Sequence, residues 1–371
     1  MLARLEARNF RNLAPLTWEP GPGAHLLLGG NGAGKTSVLE AIYVLTTTRS
    51  FRTTQLSDCR RHGAEGFYLA GKIEREARIS LEVGWSSQGR HRSVNGREGP
   101  LAEHLAAQPV VVWTADDADT LTGPPRLRRR LLDRGVLGLK ASAIEVVARY
   151  RQALAQKRRL LSDAAERGGR DGAWRERLEP WNAVLAAAAE ELIRLRQAYF
   201  EKLTAALKMV LADSGLPFPE VSLAYKPSPA EGLEGSEAAT EAFAAAADRE
   251  LRQGRPVLGP HRDDLEVLWD DREIRRVASA GERKALTMLL AVAHGRVLRE
   301  AGASPVYLFD DADIELSAAT LAAVWATLGP VRQLFASSNR PEVWGGLETE
   351  GRWWLREGEL SPLSEASGTA R

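Results

Sequence analysis

Eight consecutive residues constrain this chain more than anything else in it. Gly29-Gly30-Asn31-Gly32-Ala33-Gly34-Lys35-Thr36 is a complete G-x-x-x-x-G-K-[ST] string, and Ser37 follows it. The string comes after a short strand, His25 to Leu28, and opens a helix running from Lys35 toward Thr46. Strand, glycine loop and helix in that order form the context in which such a string cradles phosphate. Glycines let successive backbone N–H groups converge on one polyanion, and the helix N-terminus adds the positive end of its dipole. Lys35 can reach the β- and γ-phosphates of a nucleoside triphosphate, and the Thr36 hydroxyl can ligate Mg²⁺. Gly29 through Ser37 is therefore the expected nucleotide-binding segment. The bland alternative, an ordinary glycine-rich turn, gives no reason for the Lys and Thr to stand together.

A magnesium-bound nucleotide also needs a carboxylate. Val306-Tyr307-Leu308-Phe309-Asp310-Asp311 supplies four apolar residues and then two acids. Such a strand places Asp310 at the carboxyl end of a parallel sheet, where ligands of open α/β sheets bind. Asp310 is the expected metal-side acid beside Thr36, and Asp311 the expected catalytic group that orients or deprotonates the attacking water.

The rest of the chain brackets a helical insertion. Residues 67–83 and Val110 to Trp113 have strand patterns. From about Ile144 to Glu166, and again from Leu178 to Ala212, the sequence is rich in Ala, Leu, Glu and Arg, with Pro180 expected in the first turn of the second stretch. Leu185, Leu192, Tyr199, Leu203 and Val210 share one helical face. Gly168-Gly169 and Asp171-Gly172 are the expected turn of an antiparallel hairpin. The expected organisation is residues 1–125 as the first part of an ATPase head, 126–258 as a helical lobe, 259–360 as the second part of the head and 361–371 as a flexible tail.

Ser279-Ala280-Gly281-Glu282-Arg283 lies 31 residues before Asp310 and opens an apolar helix. It resembles the S-G-G-Q signature of ATP-binding-cassette ATPases, which implies ATP and Mg²⁺ as cofactors and a fold in which Ser279 and Gly281 of one subunit touch the γ-phosphate held by another. The same residues have the S-x-x-E spacing of a helix capping box. Both readings can hold, since a capped helix N-terminus is itself an anion site.

With these motifs the whole chain resembles the RecF family of DNA recombination and repair ATPases, related to the structural-maintenance-of-chromosomes and Rad50 heads. The resemblance includes Asn9-Phe10-Arg11-Asn12-Leu13, Leu39-Glu40-Ala41-Ile42, Arg49-Ser50-Phe51-Arg52, and Gly123-Pro124-Pro125 leading to Arg129-Arg130-Leu131-Leu132-Asp133. It is most specific at Gly259-Pro260-His261-Arg262-Asp263-Asp264-Leu265. It implies an α/β fold, an ABC-type P-loop ATPase head with a mixed sheet flanked by helices and a helical-hairpin lobe inserted. It also implies a slow DNA-dependent ATPase, an ATP-dependent homodimer that clamps duplex DNA or duplex/single-strand junctions, and RecR and RecO as partners in recombinase loading. Three departures stand out. The family's E-L-D reads Glu315-Leu316-Ser317, Phe335-Ala336-Ser337-Ser338-Asn339 lacks the switch histidine of many cassette ATPases, and Trp113-Thr114-Ala115-Asp116-Asp117 stands where related ATPases have a glutamine lid. Three rivals remain: an ATP-binding switch or scaffold with negligible hydrolysis, another SMC-like ATPase, and the energy-coupling subunit of a transporter.

Composition narrows the partners. The 50 basic and 49 acidic residues leave +1, so a nucleic-acid surface has to be a local patch. Arg126, Arg128, Arg129 and Arg130 form one candidate DNA-binding patch, and Arg49 with Arg52 another. A single cysteine, Cys59, excludes an intramolecular disulfide. No run approaches the roughly 18–20 apolar residues of a membrane span, so a cytoplasmic location without a membrane partner is expected.

Overall fold

Val38 to Leu45 is apolar on almost every side apart from Glu40, and a helix of that kind has to be covered all round. In the computed structural model, which describes residues 1–167, 172–229 and 235–363, this helix, α1 (Lys35–Thr47), lies between two sheets. The first sheet is antiparallel throughout, in the order β2 (Leu16–Trp18), β1 (Leu2–Arg8), β4 (Phe67–Glu74), β5 (Arg78–Ser86) and β6 (Gly89–Val94). The second has six strands in the order β14 (Glu359–Pro362), β13 (Gly351–Arg356), β3 (Gly23–Leu28), β12 (Gln333–Ser338), β11 (Val306–Phe309) and β7 (Val110–Trp113). It is parallel except at β14. One apolar core joins Leu2, Leu5 and Leu69 of the first sheet, Val38, Ile42 and Leu45 of α1, and Leu27, Leu308 and Phe335 of the second.

Register decides where the chemistry lies. Leu28 stands opposite Ser338 and Trp354, and Phe309 opposite Ala336 and Trp113. The loop after β3 and the acids after β11 therefore emerge at the same carboxyl edge of a parallel sheet. The short α2 (Leu101–Ala107), the long α8 (Ala280–Glu300) and α9 (Ala318–Thr327) complete this unit. Helix α8 sits tightly on β11: a Cβ on Gly295 would fall 1.9 Å from the Tyr307 hydroxyl.

The second unit comprises Asp119–Thr204 and Pro219–Val277; the first comprises Met1–Ala118, Ala205–Phe218 and the chain from Ala278 on. The second holds α3 (Pro125–Leu139), α4 (Ala143–Glu166), most of α5 (Gly172–Ser214), α6 (Ser236–Gln253) and α7 (Ile274–Val277). Its sheet orders β10 (Arg272–Glu273), β9 (Asp264–Trp269) and β8 (Val221–Lys226), antiparallel throughout. The expected apolar face of α5 is buried at Leu185, Leu192, Tyr199, Leu203 and Val210. Val147 and Leu154 of α4 pack with Leu192 and Leu185, and Leu161 and Ala164 with Trp174 and Leu178, an antiparallel pairing. The hairpin is not alone: Ala239, Phe243 and Leu251 of α6 share these cores, making three packed helices.

Several boundaries differ from expectation. The second unit begins at residue 119 rather than 126, gives up Ala205–Phe218 to the first, and runs on to 277 rather than 258, because the Gly259 to Leu265 segment leads into β9, which pairs with β8 along its whole length. Helix α5 begins at Gly172, so Pro180 lies inside it rather than in its first turn. Ser361 and Pro362, expected in the tail, pair in β14 with Trp354 and Trp353. The expected turn residues Gly168, Gly169 and Asp171 lie outside the described residues, as does the chain beyond 363. Among the described residues no helix is long and apolar enough to cross a membrane.

Candidate nucleotide site

The loop between β3 and α1 needs its glycines. Gly29, Gly32 and Gly34 have φ of 152°, 77° and 113°, values that suit glycine alone. At Gly29 space forbids a side chain too, since a Cβ would stand 2.4 Å from the Leu355 carbonyl oxygen. The loop is tied from outside by Asn12, whose amide Nδ2 donates to the Gly32 carbonyl at 2.7 Å and whose Oδ1 accepts from the Ser37 hydroxyl at 2.7 Å. The Lys35 ammonium donates to the carbonyls of Gly29 and Gly30 at 2.9 and 3.1 Å, so the charge sits directly on the loop. Asn31, Ala33 and Thr36 line a cleft of about 630 Å³ with Arg11, Arg52, Arg60, Arg61, His62 and Asp311 on its other walls.

The sheet register brings the two distant motifs together. Asp310, 8% exposed, accepts hydrogen bonds on Oδ1 from the Thr36 hydroxyl at 2.9 Å and the Ser337 hydroxyl at 2.6 Å. Burial pushes its carboxyl above the usual carboxylate range; the two hydroxyls pull it back. Asp311 turns into left-handed backbone at φ 48°, with its N–H donating to the Ser337 hydroxyl at 2.8 Å. Asp313, fully buried, accepts from the Ser338 hydroxyl at 2.8 Å, and Asn339 reaches Asn31 at 3.3 Å. Three successive side chains after Ala336, where a switch histidine is lacking, thus fasten the acids and the phosphate loop.

Thr36 and Asp310 form a hard-oxygen pair of the kind that holds Mg²⁺ together with phosphate oxygens. Among the described residues no cluster of three or more His, Cys, Asp or Glu could hold a metal by itself. In the 113–117 stretch that stands where related ATPases have a glutamine lid, Asp117 caps its own turn: its Oδ2 accepts from the backbone N–H and the hydroxyl of Thr114 at 2.9 and 3.1 Å.

The remaining expected site residues divide. Ser279 and Glu282 form a complete capping box on α8, with bonds of 3.3 and 2.7 Å. Neither Ser279 nor Gly281 lines the cleft of its own chain. Of the expected DNA patches, Arg52 lies in the cleft beside the glycine loop, 3.3 Å from Glu40, while Arg49 is exposed just past the end of α1. Arg128 is held by both carboxylate oxygens of Asp264 at 2.7 and 2.9 Å, and Arg129 donates to the Asp263 carbonyl at 2.7 Å. Both are spent inside the lobe, leaving Arg126 and Arg130 as the exposed members of that run.

Sequence reasoning passed over Glu40. It is completely buried in α1, takes a two-pronged bond from Arg11 at 2.8 and 2.6 Å, and accepts from the Ser50 hydroxyl at 2.5 Å. An acid inside an apolar helix was the available signal, because a buried carboxylate has to be paired. Cys59, buried beside it, is pushed up to about 12 by burial and by the Glu40 charge, so its thiol is unreactive.

The family model of the RecF/RecN/SMC N terminal domain matches residues 1–348. A DNA replication and repair protein RecF of Mesorhizobium japonicum is 34% identical over 98% of this chain and 98% of its own length. The protein of the same name in Moorella thermoacetica is 31% identical over 91% of this chain and 89% of its own. Among solved structures, that of the recombination mediator protein RecF-ATPrS in the RecFOR pathway matches with a TM-score of 0.87, at 24% identity over 98% of both chains. An Smc head bound to the C-winged helix domain of ScpA matches with a TM-score of 0.55, at 15% identity over 98% of both chains. The fold is an ABC-type P-loop ATPase head, and the chain belongs to the RecF family.

Proposed function

We propose that this chain is an ATP-dependent DNA-binding protein of recombinational repair, in which ATP joins two heads on DNA and hydrolysis releases them. The observation that carries this reading is the 2.9 Å bond between Thr36 and Asp310, residues 274 positions apart that meet beside a phosphate loop. Backbone N–H groups from Gly30 to Thr36 and the Lys35 ammonium bind the β- and γ-phosphates. Thr36 Oγ1 and Asp310 would hold Mg²⁺, which would supply neutralisation of the phosphate charge. Asp311 orients the attacking water and accepts its proton. Ser279 and Gly281 lie outside their own chain's cleft, which suits a signature that completes the site of a second copy. Duplex DNA or a duplex/single-strand junction is the partner held by the joined heads, and RecR and RecO are the partners in loading recombinase. One observation favours the switch reading, in which turnover is negligible: the acid at position 311 is one methylene shorter than glutamate.

Sedimentation with ATP, ADP and no nucleotide tests the proposal. ATP alone should convert the chain to a dimer; Lys35→Met should stay monomeric for want of ATP, and Ser279→Arg should stay monomeric while binding ATP. A Lys35→Met chain that dimerises with ATP as the parent does would remove the phosphate loop from the account.

A further inference from the structure

Lys284 is a lysine whose side chain lies almost wholly inside the fold. It sits in α8, is 2% exposed, and its ammonium donates to the Ile314 carbonyl oxygen. The acceptor belongs to the turn that follows Asp310, held by bonds from Ile314 N–H to the Asp311 carbonyl at 3.3 Å and from Leu316 N–H to the Asp313 carbonyl at 3.2 Å. Three carboxylates of that turn, Glu315, Asp313 and Asp311, act on the ammonium and oppose the effect of its burial. Gly281, one turn earlier in α8, faces the same segment: a Cβ there would stand 3.6 Å from the Glu315 carbonyl oxygen.

A third element locks the arrangement. The Lys284 ammonium lies 5.2 Å from the centroid of the Trp113 ring, close enough for a cation–π contact. The Trp113 indole N–H donates to the Thr287 hydroxyl at 3.0 Å, and that hydroxyl donates to the Lys284 carbonyl at 2.8 Å. The Trp113 carbonyl in turn accepts from the Asp310 N–H at 2.9 Å. An apolar side chain would satisfy the packing at 284 at lower cost than an ammonium.

We propose that Lys284 is a positioning residue that ties the first turns of α8, which carry Ser279 and Gly281, to the Asp311–Leu316 turn of the same chain. The inference rests on the proposed ATP reading for its consequence. The group facing the chain's own nucleotide and the group offered to a second copy are thereby held as one body, so that misplacing one misplaces the other.

The test compares the full chain with Lys284→Met, Lys284→Arg and Thr287→Val. Without nucleotide, Lys284→Met should speed amide exchange in the peptides covering 280–287 and 311–316 together, by more than about tenfold, since local opening sets exchange. With ATP, kcat should fall about 100-fold, the effect of a misplaced group, while KM stays within about threefold because the phosphate loop is untouched. Lys284→Arg should recover part of kcat, and Thr287→Val should shift exchange in the same two peptides by a smaller factor should Lys284→Met fail to fold. Exchange unchanged in both peptides, or raised in only one, would overturn the tether, and so would parental kcat in a folded Lys284→Met chain. A parent chain that binds no ATP would defeat the ATP reading instead, and the exchange measurement would still decide the tether.

Discussion

The loop at Gly29–Thr36 and the segment Gly259–Leu265 are the two most motif-like stretches of this chain, and they use buried polarity in opposite ways. Around Asp310 the buried acid takes its hydrogen bonds from the hydroxyls of Thr36 and Ser337, groups that can turn toward another ligand. Around Asp263 the buried acid is met by the Arg196 guanidinium at 2.7 Å, the Tyr225 hydroxyl and the Ser228 N–H at 2.9 Å. Arg196 also bonds Asp133 at 2.7 Å and the Pro260 carbonyl at 2.7 Å. The first arrangement has capacity left for a cation and phosphate; the second has spent its capacity on holding α3, α5 and the ends of β8 and β9 together. A string can be specific to a family because it is a clasp rather than because it does chemistry.

The sharpest break in the comparison comes from removing one charge on each side. On the nucleotide side, Asp311→Asn keeps the shape and deletes the basicity; ATP turnover should fall about 10²–10⁴-fold with ATP affinity retained, measured by steady-state hydrolysis beside equilibrium binding. Unchanged turnover would move the base elsewhere. On the clasp side, Arg196→Met takes the guanidinium from Asp133 and Asp263, leaving Asp133 with only Arg151 at 3.3 Å and Asp263 with only the Tyr225 hydroxyl and the Ser228 N–H among the described residues. Losing one partner of a buried ion network costs about 3–5 kcal/mol. Denaturant unfolding should show that loss, and a change below about 1 kcal/mol, the worth of an exposed pair, would mean the clasp is not a clasp.

A smaller effect separates the two regions by pH. His261 packs with Nδ1 2.7 Å from the Tyr150 hydroxyl and Nε2 buried without a partner among the described residues. Burial, with Arg158, Arg262 and Arg129 nearby, lowers its pKa to about 4. An unfolded chain's imidazole takes a proton near pH 6.5, whereas the folded one stays neutral. The stability from the neutral ring is therefore fully present above about pH 6.5, is lost as pH falls toward about 4 and changes no further below that. The loss is at most about 3 kcal/mol at 1.36 kcal/mol per pKa unit. His25 and His104 are lowered by burial as well, so the difference between the parent chain and His261→Gln isolates the clasp. Identical pH profiles for the two chains would contradict the assignment.

What was legible in the sequence was local. The glycine string, the apolar strand ending in Asp310 and the long helical faces each declare themselves within a few turns, and register then does the rest. What was not legible depends on partners far apart in sequence. Arg128 looked like one more cation in an exposed run until Asp264, 136 positions away, took both its prongs. Glu40 carried no role in the sequence, because its partners Arg11 and Ser50 lie 29 and 10 positions away. The 259–265 segment looked like the edge of the ATPase head until β8 and β9 paired. Lys284 lay one residue beyond the S-A-G-E-R string that drew attention to α8.

The account's central claim is that Thr36 and Asp310 are one half of a magnesium–nucleotide site. Calorimetric titration of ATP with and without Mg²⁺, on the parent chain and on Asp310→Asn, tests it most directly. The account predicts that Mg²⁺ tightens ATP binding to the parent chain at least about tenfold, as a bridging cation does, and leaves binding to Asp310→Asn nearly unchanged. Equal tightening in both chains would contradict it.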